Sequence, residues 1–326
     1  EDLIQPVTVT LKGRTIKLGV LLCEDGWTDN YHYNVPELLR QNGAQILCNL
    51  SCSPYTYQKN RKRHDLFVRQ ASQNGIPLVY CNNVGIQNNG KDVFTYDGCS
   101  CIYDAHGESI TDSPAFEEDL LVADWDPDTG AIRGKRGLQP VPSDIKALYT
   151  ALRYGAAAFL QQLGIRKMTI GVSGGIDSAV TAAFYVDILG PENVLLANMP
   201  SQYNSTLTKG LAQQMAEALG TNYTIIPIQE VVDHTICQFS KTPVHNYGTG
   251  TDTHLTVTPF ATENIQARDR GARVLAGLAS IFGGGFSCNS NKAEMTVGYA
   301  TFYGDIAGVL ALIGDLWKHQ VYALGR

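Results

Sequence analysis

The 326-residue chain has no apolar run near the roughly 20 residues that cross a bilayer. Its best candidates, Ile16–Leu22 and Val309–Ile313, have the length of a single strand or helical turn. No membrane partner is therefore expected. An excess of basic charge is also missing, since 25 Lys and Arg stand against 31 Asp and Glu for a net charge of −6. That balance gives no electrostatic pull toward nucleic acid or anionic lipid. There is no CxxC pair. Cys99-x-Cys101 and Cys48-x3-Cys52 lack the second pair and the histidines of a zinc site. Internal repeats and low-complexity tracts are absent, and no leader pattern follows Glu1. With 44% hydrophobic and 17% charged residues, the composition is that of a globular protein and not of a disordered one. At roughly 100–200 residues per domain the length suggests two domains. A chain of this size needs no disulfide or metal to complete its core. Its eight cysteines read as free thiols of a reducing compartment, so a cytoplasmic location is expected.

Two stretches differ in pattern. Up to about residue 126, short apolar runs alternate with turn signals. Strands are expected at 14–22, 45–50, 77–82 and 120–125, helices at 35–42 and 60–72, and a hairpin pattern across 94–96 and 99–103 with a turn at 104–107. Residues 127–142 are rich in Pro, Gly and charge and read as a linker. Ser143 is placed to cap a helix running to about Leu163. From 168 onward the order is strand 168–172, helix 178–189, strand 194–198, helix 206–219, strand 223–228. That βαβαβ run predicts an α/β fold with a doubly wound parallel sheet. A long helix is expected over 263–281, broken by Gly283–Gly285.

Residues 171–178 read GVSGGIDS, between the first strand of this run and its helix. Gly174 and Gly175 carry no Cβ, so backbone N–H groups and a helix N-terminus can approach a phosphate closely. The hydroxyls of Ser173 and Ser178 add donors. No lysine follows the glycines, which rules out a Walker A loop. Asp177 stands there instead. A carboxylate beside a polyphosphate is repulsive unless a cation lies between them, and this points to Mg²⁺ bridging Asp177 and a phosphate. The competing reading is a plain glycine turn with Asp177 as a capping acid.

The SGGIDS loop resembles the pyrophosphate loop of ATP pyrophosphatases, which cleave ATP between the α- and β-phosphates. Three further segments narrow the resemblance: Met199-Pro200-Ser201, ENIQARDRG at 263–271, and NKAEMTVGYATFYGD at 291–305 with Asp315-Leu316-Trp317-Lys318 beyond. Together they are similar to the glutamine-dependent NAD synthetase family over about 143–326. The resemblance implies amidation of nicotinic acid adenine dinucleotide through an adenylate, with release of AMP and pyrophosphate. It implies ATP and Mg²⁺ as cofactors and a homodimer or larger homo-oligomer. Carried over by position, Ser173, Gly174, Gly175, Asp177 and Ser178 hold the pyrophosphate, and Asp177 and Glu294 hold Mg²⁺. Arg268 and Arg270 contact nucleotide phosphates, while Asp305 and Lys318 orient the dinucleotide and the triphosphate. Taken singly, Arg268, Arg270 and Arg273 also read as a solvated helix face and Glu294 as a surface acid.

Cys23 closes an apolar strand and is followed by Glu24-Asp25-Gly26-Trp27. A cysteine at a strand end is either an inert packed residue or a nucleophile presented to a pocket. CEDGW, NLSCSPY (49–55), KNRKR (59–63), YCNNVG (80–85) and YDGCS (96–100) resemble the nitrilase, or carbon–nitrogen hydrolase, family. The resemblance implies a partial α-β-β-α sandwich over 1–126 ahead of an adenine-nucleotide alpha-hydrolase-like domain over 143–326. It makes Cys23 the nucleophile that hydrolyses glutamine to supply ammonia, with Glu24 and Ser53 binding substrate. The other seven cysteines are expected to be buried or incidental.

Only 22 residues precede Cys23 and eight follow Lys318. The Glu and Lys that activate the family's cysteine lie far upstream of it, and neither Lys12 nor Lys17 matches that lysine. The 326 residues are therefore expected to be an internal part of a longer protein, lacking glutaminase activity by themselves. Two alternatives stand beside the enzyme reading: an inactive fragment that still binds nucleotide, and another adenylating amidotransferase such as a GMP synthetase.

Overall fold

Alternation along the strands and 3.6-residue periodicity along the helices resolve, in a computed structural model describing residues 3–29, 31–201 and 206–326, into two compact units, Glu1–Phe159 and Leu160–Arg326. Of residues 206–209 only the backbone is described. No helix among the described residues is long and apolar enough to cross a membrane.

The first unit is built on β1 (Val7–Leu11), β2 (Arg14–Leu22), α1 (Val35–Gln41), β3 (Ile46–Ser51), α2 (Lys59–Asn74) and β4 (Leu78–Asn82). β5 (Val84–Asn88), β6 (Val93–Asp97), β7 (Cys101–Tyr103), β8 (Ser109–Asp112), β9 (Ala123–Trp125) and β10 (Ile132–Gly134) follow, then α3 (Asp144–Gln162). Six strands form one sheet in the order β1-β2-β3-β4-β7-β8, with β2, β3 and β4 parallel. One face carries Leu21, Leu47, Leu78 and Tyr80 against Leu39 of α1 and Leu66 and Phe67 of α2. The other face is covered at one end, where Ile46, Ile102 and Ile132 cluster with Leu18 and Trp125. At its other end it stays open: Leu22 is 63% and Leu50 52% exposed, and the two are paired in register.

The turn at 104–107 joins β7 to β8 as expected. Val93–Asp97 pairs instead with Val84–Asn88, a strand the sequence pattern does not mark. Residues 132–134, inside the segment read as linker, pair antiparallel with β9.

The interior of this unit holds an ion pair. Arg63 and Asp97 side chains are each 2% exposed and bonded to one another, and Arg63 also donates to the Tyr80 hydroxyl at 3.1 Å. Among the described residues the Nε of Arg63 has no hydrogen-bond partner. Replacing Asp97 with Asn removes the counter-charge from a buried guanidinium, so unfolding of this unit is expected to become easier by about 3–5 kcal/mol. Urea denaturation followed by tryptophan fluorescence checks it; an unchanged midpoint would contradict it.

The second unit runs β11 (Met168–Gly171), α4 (Ile176–Leu189), β12 (Val194–Asn198), α5 (Thr206–Leu219), β13 (Asn222–Ile225), α6 (Gln229–Lys241), β14 (Pro243–Asn246) and β15 (Thr251–His254). It continues through α7 (Pro259–Arg268), a π-helical segment (Asp269–Leu275), α8 (Ala276–Phe282), β16 (Gly285–Phe286), α9 (Lys292–Val297) and α10 (Lys318–Leu324). Its sheet is parallel throughout, in the order β13-β12-β11-β16. The chain winds outward from β11 to β13 and returns to the other side of β11 as β16. The carboxyl end of β11 is thus the point where the winding reverses, the place where open α/β sheets take their ligands.

The helix expected over 263–281 is present as one unbroken helical run from Pro259 to Phe282, ended by Gly283, but its middle is not α-helical. Seven residues, Asp269–Leu275, adopt π geometry. Gly271 lies so close to the backbone of Gly304 that a Cβ would meet its carbonyl oxygen at 2.3 Å. Seven residues span less than two turns, too few for an apolar period to distinguish π from α, so the pattern alone does not reveal the switch.

Candidate active site

The glycine turn grows out of β11 by ordinary pairing. Val172 still donates to the carbonyl of Ala197, and Asn198 caps the strand end by donating to the carbonyl of Val172 at 2.9 Å. The chain then reverses. Gly174 takes a φ of 83°, in the left-handed region that suits glycine. Ser173 Oγ accepts from Gly175 N, and Ser178 Oγ donates to the Gly175 carbonyl at 3.0 Å. α4 starts at Ile176, with Gly175 as its cap.

This turn opens onto a cavity of about 480 Å³ in the second unit. Its wall includes Ser173, Asp177, Ser178, Arg270, Glu294 and Asp305, so elements distant in sequence converge on it. Asp177, on the first turn of α4, accepts from Asn291 Nδ2 at 3.0 Å with Oδ1 and pairs through Oδ2 with Lys318 Nζ. Glu294 accepts from the backbone N–H of Asn291 at 3.1 Å and, in return, donates its own N–H to Asn291 Oδ1. Asp305 accepts from Thr301 N at 2.6 Å.

Arg270 lies in the π segment and lines the cavity. Its Nε donates to the Met199 carbonyl at 3.3 Å and its Nη2 to Ser201 Oγ at 3.4 Å, both long bonds. Burial pushes its guanidinium below the ordinary value, with Asp269 acting in the opposite direction. Among the described residues no carboxylate is paired with this guanidinium, and a partly desolvated cation in a cavity is suited to an anionic ligand. Arg268 lies elsewhere: it is exposed, bonded to the Phe302 carbonyl, and off the cavity wall. Arg273 is taken up by Asp269.

Asp177 and Glu294 share one wall and are joined through a single buried asparagine. Two carboxylates form a hard-oxygen set that suits Mg²⁺ when phosphate oxygens and water complete the shell. Among the described residues no group of three or more His, Cys, Asp or Glu forms a self-sufficient metal site. Asn291, the hub of this arrangement, opens the 291–305 segment but carries no role in the motif reading. Its signal is the Asn-x-x-Glu spacing of a capping box opening α9.

In the first unit Cys23 follows β2 directly and begins a 3₁₀ turn, Cys23–Gly26. Its φ is 45°, an uncommon, strained conformation for a residue with a side chain. Two bonds hold it: Asn49 Nδ2 donates to the Cys23 carbonyl at 3.3 Å, and Asp25 accepts from Leu22 N at 2.9 Å. Asn49 is fully buried.

Ser53 lies just past the neighbouring parallel strand β3 and is clasped by Asn82, which accepts from its N–H and donates to its carbonyl. Cys23 and Ser53 therefore sit at the carboxyl ends of adjacent strands. Glu24 accepts from the Tyr31 hydroxyl at 2.8 Å. Lys59, which the motif reading left without a role, sets its ammonium 5.8 Å from the Trp27 ring. Burial and then Arg63 lower its pKa, while Cys23, Asp97 and Glu24 pull it up. Of the remaining cysteines Cys101 and Cys288 are buried, whereas Cys52, Cys81 and Cys237 are exposed. Burial, with Asp97 second, pushes the Cys99 thiol up to about 12.

Residues 149–326 match the NAD synthase family and residues 1–133 the carbon–nitrogen hydrolase family. A glutamine-dependent NAD(+) synthetase of Synechocystis sp. is 36% identical over 96% of this chain and 55% of its own length. One of Thermotoga maritima is 34% identical over 98% of this chain and 58% of its own. The solved glutamine-dependent NAD+ synthetase of Acinetobacter baumannii, in complex with adenosine diphosphate, superposes with a TM-score of 0.82 at 31% identity, over 98% of this chain and 56% of that one. The chain spans about half the length of the curated relatives it matches.

Proposed function

This chain belongs to the NAD synthase family and carries a carbon–nitrogen hydrolase segment ahead of the synthase segment, and from that we propose that the intact protein amidates nicotinic acid adenine dinucleotide to NAD⁺ at the expense of ATP, with glutamine as the source of ammonia. The division of labour is amidase over 1–126, extended by the strand at 132–134 from within the segment read as linker, and synthetase over 143–326.

One observation carries the reading: a lysine-free glycine turn, an inward arginine and two linked carboxylates meet on a single cavity. The turn at Ser173–Ser178 offers backbone and hydroxyl donors to the departing diphosphate. The substrate carboxylate attacks the α-phosphorus and needs no general base. Arg270 stands where it can take up negative charge developing at phosphorus. Mg²⁺ would be held by Asp177 and Glu294 and would supply neutralisation of the phosphate charge. Ammonia then displaces AMP from the adenylate to give the amide. Cys23, raised on its strained turn, attacks the glutamine amide to form a thioester and release that ammonia; Glu24, Ser53 and Lys59 surround the substrate.

The test is stoichiometry: AMP and pyrophosphate should appear in equal amounts with the amide, and release of ADP and phosphate would defeat the assignment. Replacement of Arg270 by Ala is expected to lower kcat/KM for the anionic substrates about 10- to 100-fold, the effect of losing hydrogen bonds to a charged group. Lysine at that position keeps the charge but loses the planar fork, and restores only part. Steady-state kinetics on both variants check this.

A further inference from the structure

We infer that Lys318 and a divalent cation compete for the same oxygen of Asp177, so that Lys318 couples metal binding to polyphosphate binding. The inference rests on the synthetase reading of this cavity.

Both oxygens of Asp177 are committed. Oδ1 is held by Asn291 Nδ2 at 3.0 Å, and Oδ2 by the ammonium of Lys318. These two partners differ in kind. Asn291 is 1% exposed and is fixed from its other side, because it caps α9 and exchanges two hydrogen bonds with Glu294. It is a permanent strut: it holds Asp177 and Glu294 on one wall and brings no charge.

Lys318 is the opposite case. It is the first residue of α10, its side chain is 41% exposed, and four flexible carbons separate its charge from the backbone. It can swing without disturbing the helix. Its other neighbour, the Tyr322 ring at 6.0 Å, holds it only weakly.

Two cations cannot share one carboxylate oxygen at contact distance without strong mutual repulsion. A divalent ion entering at Oδ2 must therefore displace the ammonium, and metal alone offers the ammonium no new partner. A polyphosphate does offer one, since its oxygens accept from a lysine as readily as a carboxylate does. Lysine released onto phosphate and metal admitted to Asp177 then favour one another, which is positive coupling between two ligands in one site.

The experiment uses Mn²⁺ alone, titrated against the intact protein and read from the free-ion signal in electron paramagnetic resonance. Lys318→Met and Lys318→Gln, which both remove the charge, are expected to bind Mn²⁺ at least tenfold more tightly than the unaltered protein, about 1.4 kcal/mol. Lys318→Arg keeps the charge and should stay within about twofold. Asp177→Asn should abolish the site. Unchanged affinity in both neutral variants, with the site still lost in Asp177→Asn, would overturn the competition while leaving the synthetase reading intact. Retention of the Mn²⁺ site in Asp177→Asn would overturn both. A melting curve for each variant confirms that it is folded, and two neutral side chains guard against the misfolding of either.

Discussion

Replacing Asp177 with Asn in the intact protein is expected to lower pyrophosphate release by at least about two to three orders of magnitude, the size of effect seen when an electrostatic partner of a charged transition state is removed. The carboxylate occupies one end of the network that runs through Asn291 to Glu294. It lies on the wall of the cavity onto which the glycine turn opens. Asn is nearly the same size, so packing around α4 is retained and the loss falls on charge. On the proposed function, the phosphates would then lack a bridging cation on this side. Lys318 loses its partner as well. The measurement is a pyrophosphate-coupled assay with saturating ammonia, which keeps the glutamine-hydrolysing step out of the rate. Undiminished release would remove Asp177 from the reaction.

On the proposed function, replacing Cys23 with Ala is expected to divide glutamine-supported from ammonia-supported synthesis in the intact protein. Glutamine-supported synthesis should fall by about a thousandfold or more, because a lost nucleophile has no substitute. Synthesis from added ammonia should stay within about twofold. The geometry behind this is the strand-end turn, where a φ of 45° lifts Cys23 off β2 and Asn49 braces its carbonyl. Alanine adopts that turn at about the same cost as cysteine, so the fold is preserved while the sulfur is lost. Parallel loss of both activities would mean that Cys23 serves the structure and not the chemistry.

The fold was legible wherever local pattern and tertiary role coincide. β2 reads off the sequence residue for residue as Arg14–Leu22, because an apolar run bounded by turn signals has the length and limits of the strand. β12 and α5 are equally plain. Val84–Asn88 was missed because its residues are half-buried or exposed, leaving no apolar signature. The β14–β15 hairpin is exposed along its whole length and is defined only by cross-strand pairing. β16 is two residues long and exists as a strand only because β11 lies beside it.

The site divides in the same way. The SGGIDS turn is a local object: two glycines, two serines and a following helix define it within eight residues, and the sequence alone determined it. The strand-end placement of Cys23 was equally local. Which arginine faces the cavity was not local. Arg268 and Arg270 are two residues apart on one helical run and so point to opposite sides of it, and only the packing of that run against the rest of the unit decides that Arg270 lines the cavity while Arg268 stays exposed. Nor could sequence show that Asn291 carries Asp177, 114 positions away, or that Lys318 pairs with it across 141. Contacts at that separation depend on how a parallel sheet brings several loops to the carboxyl end of one strand. Chain geometry settles such convergence, whereas residue pattern settles only the parts that converge.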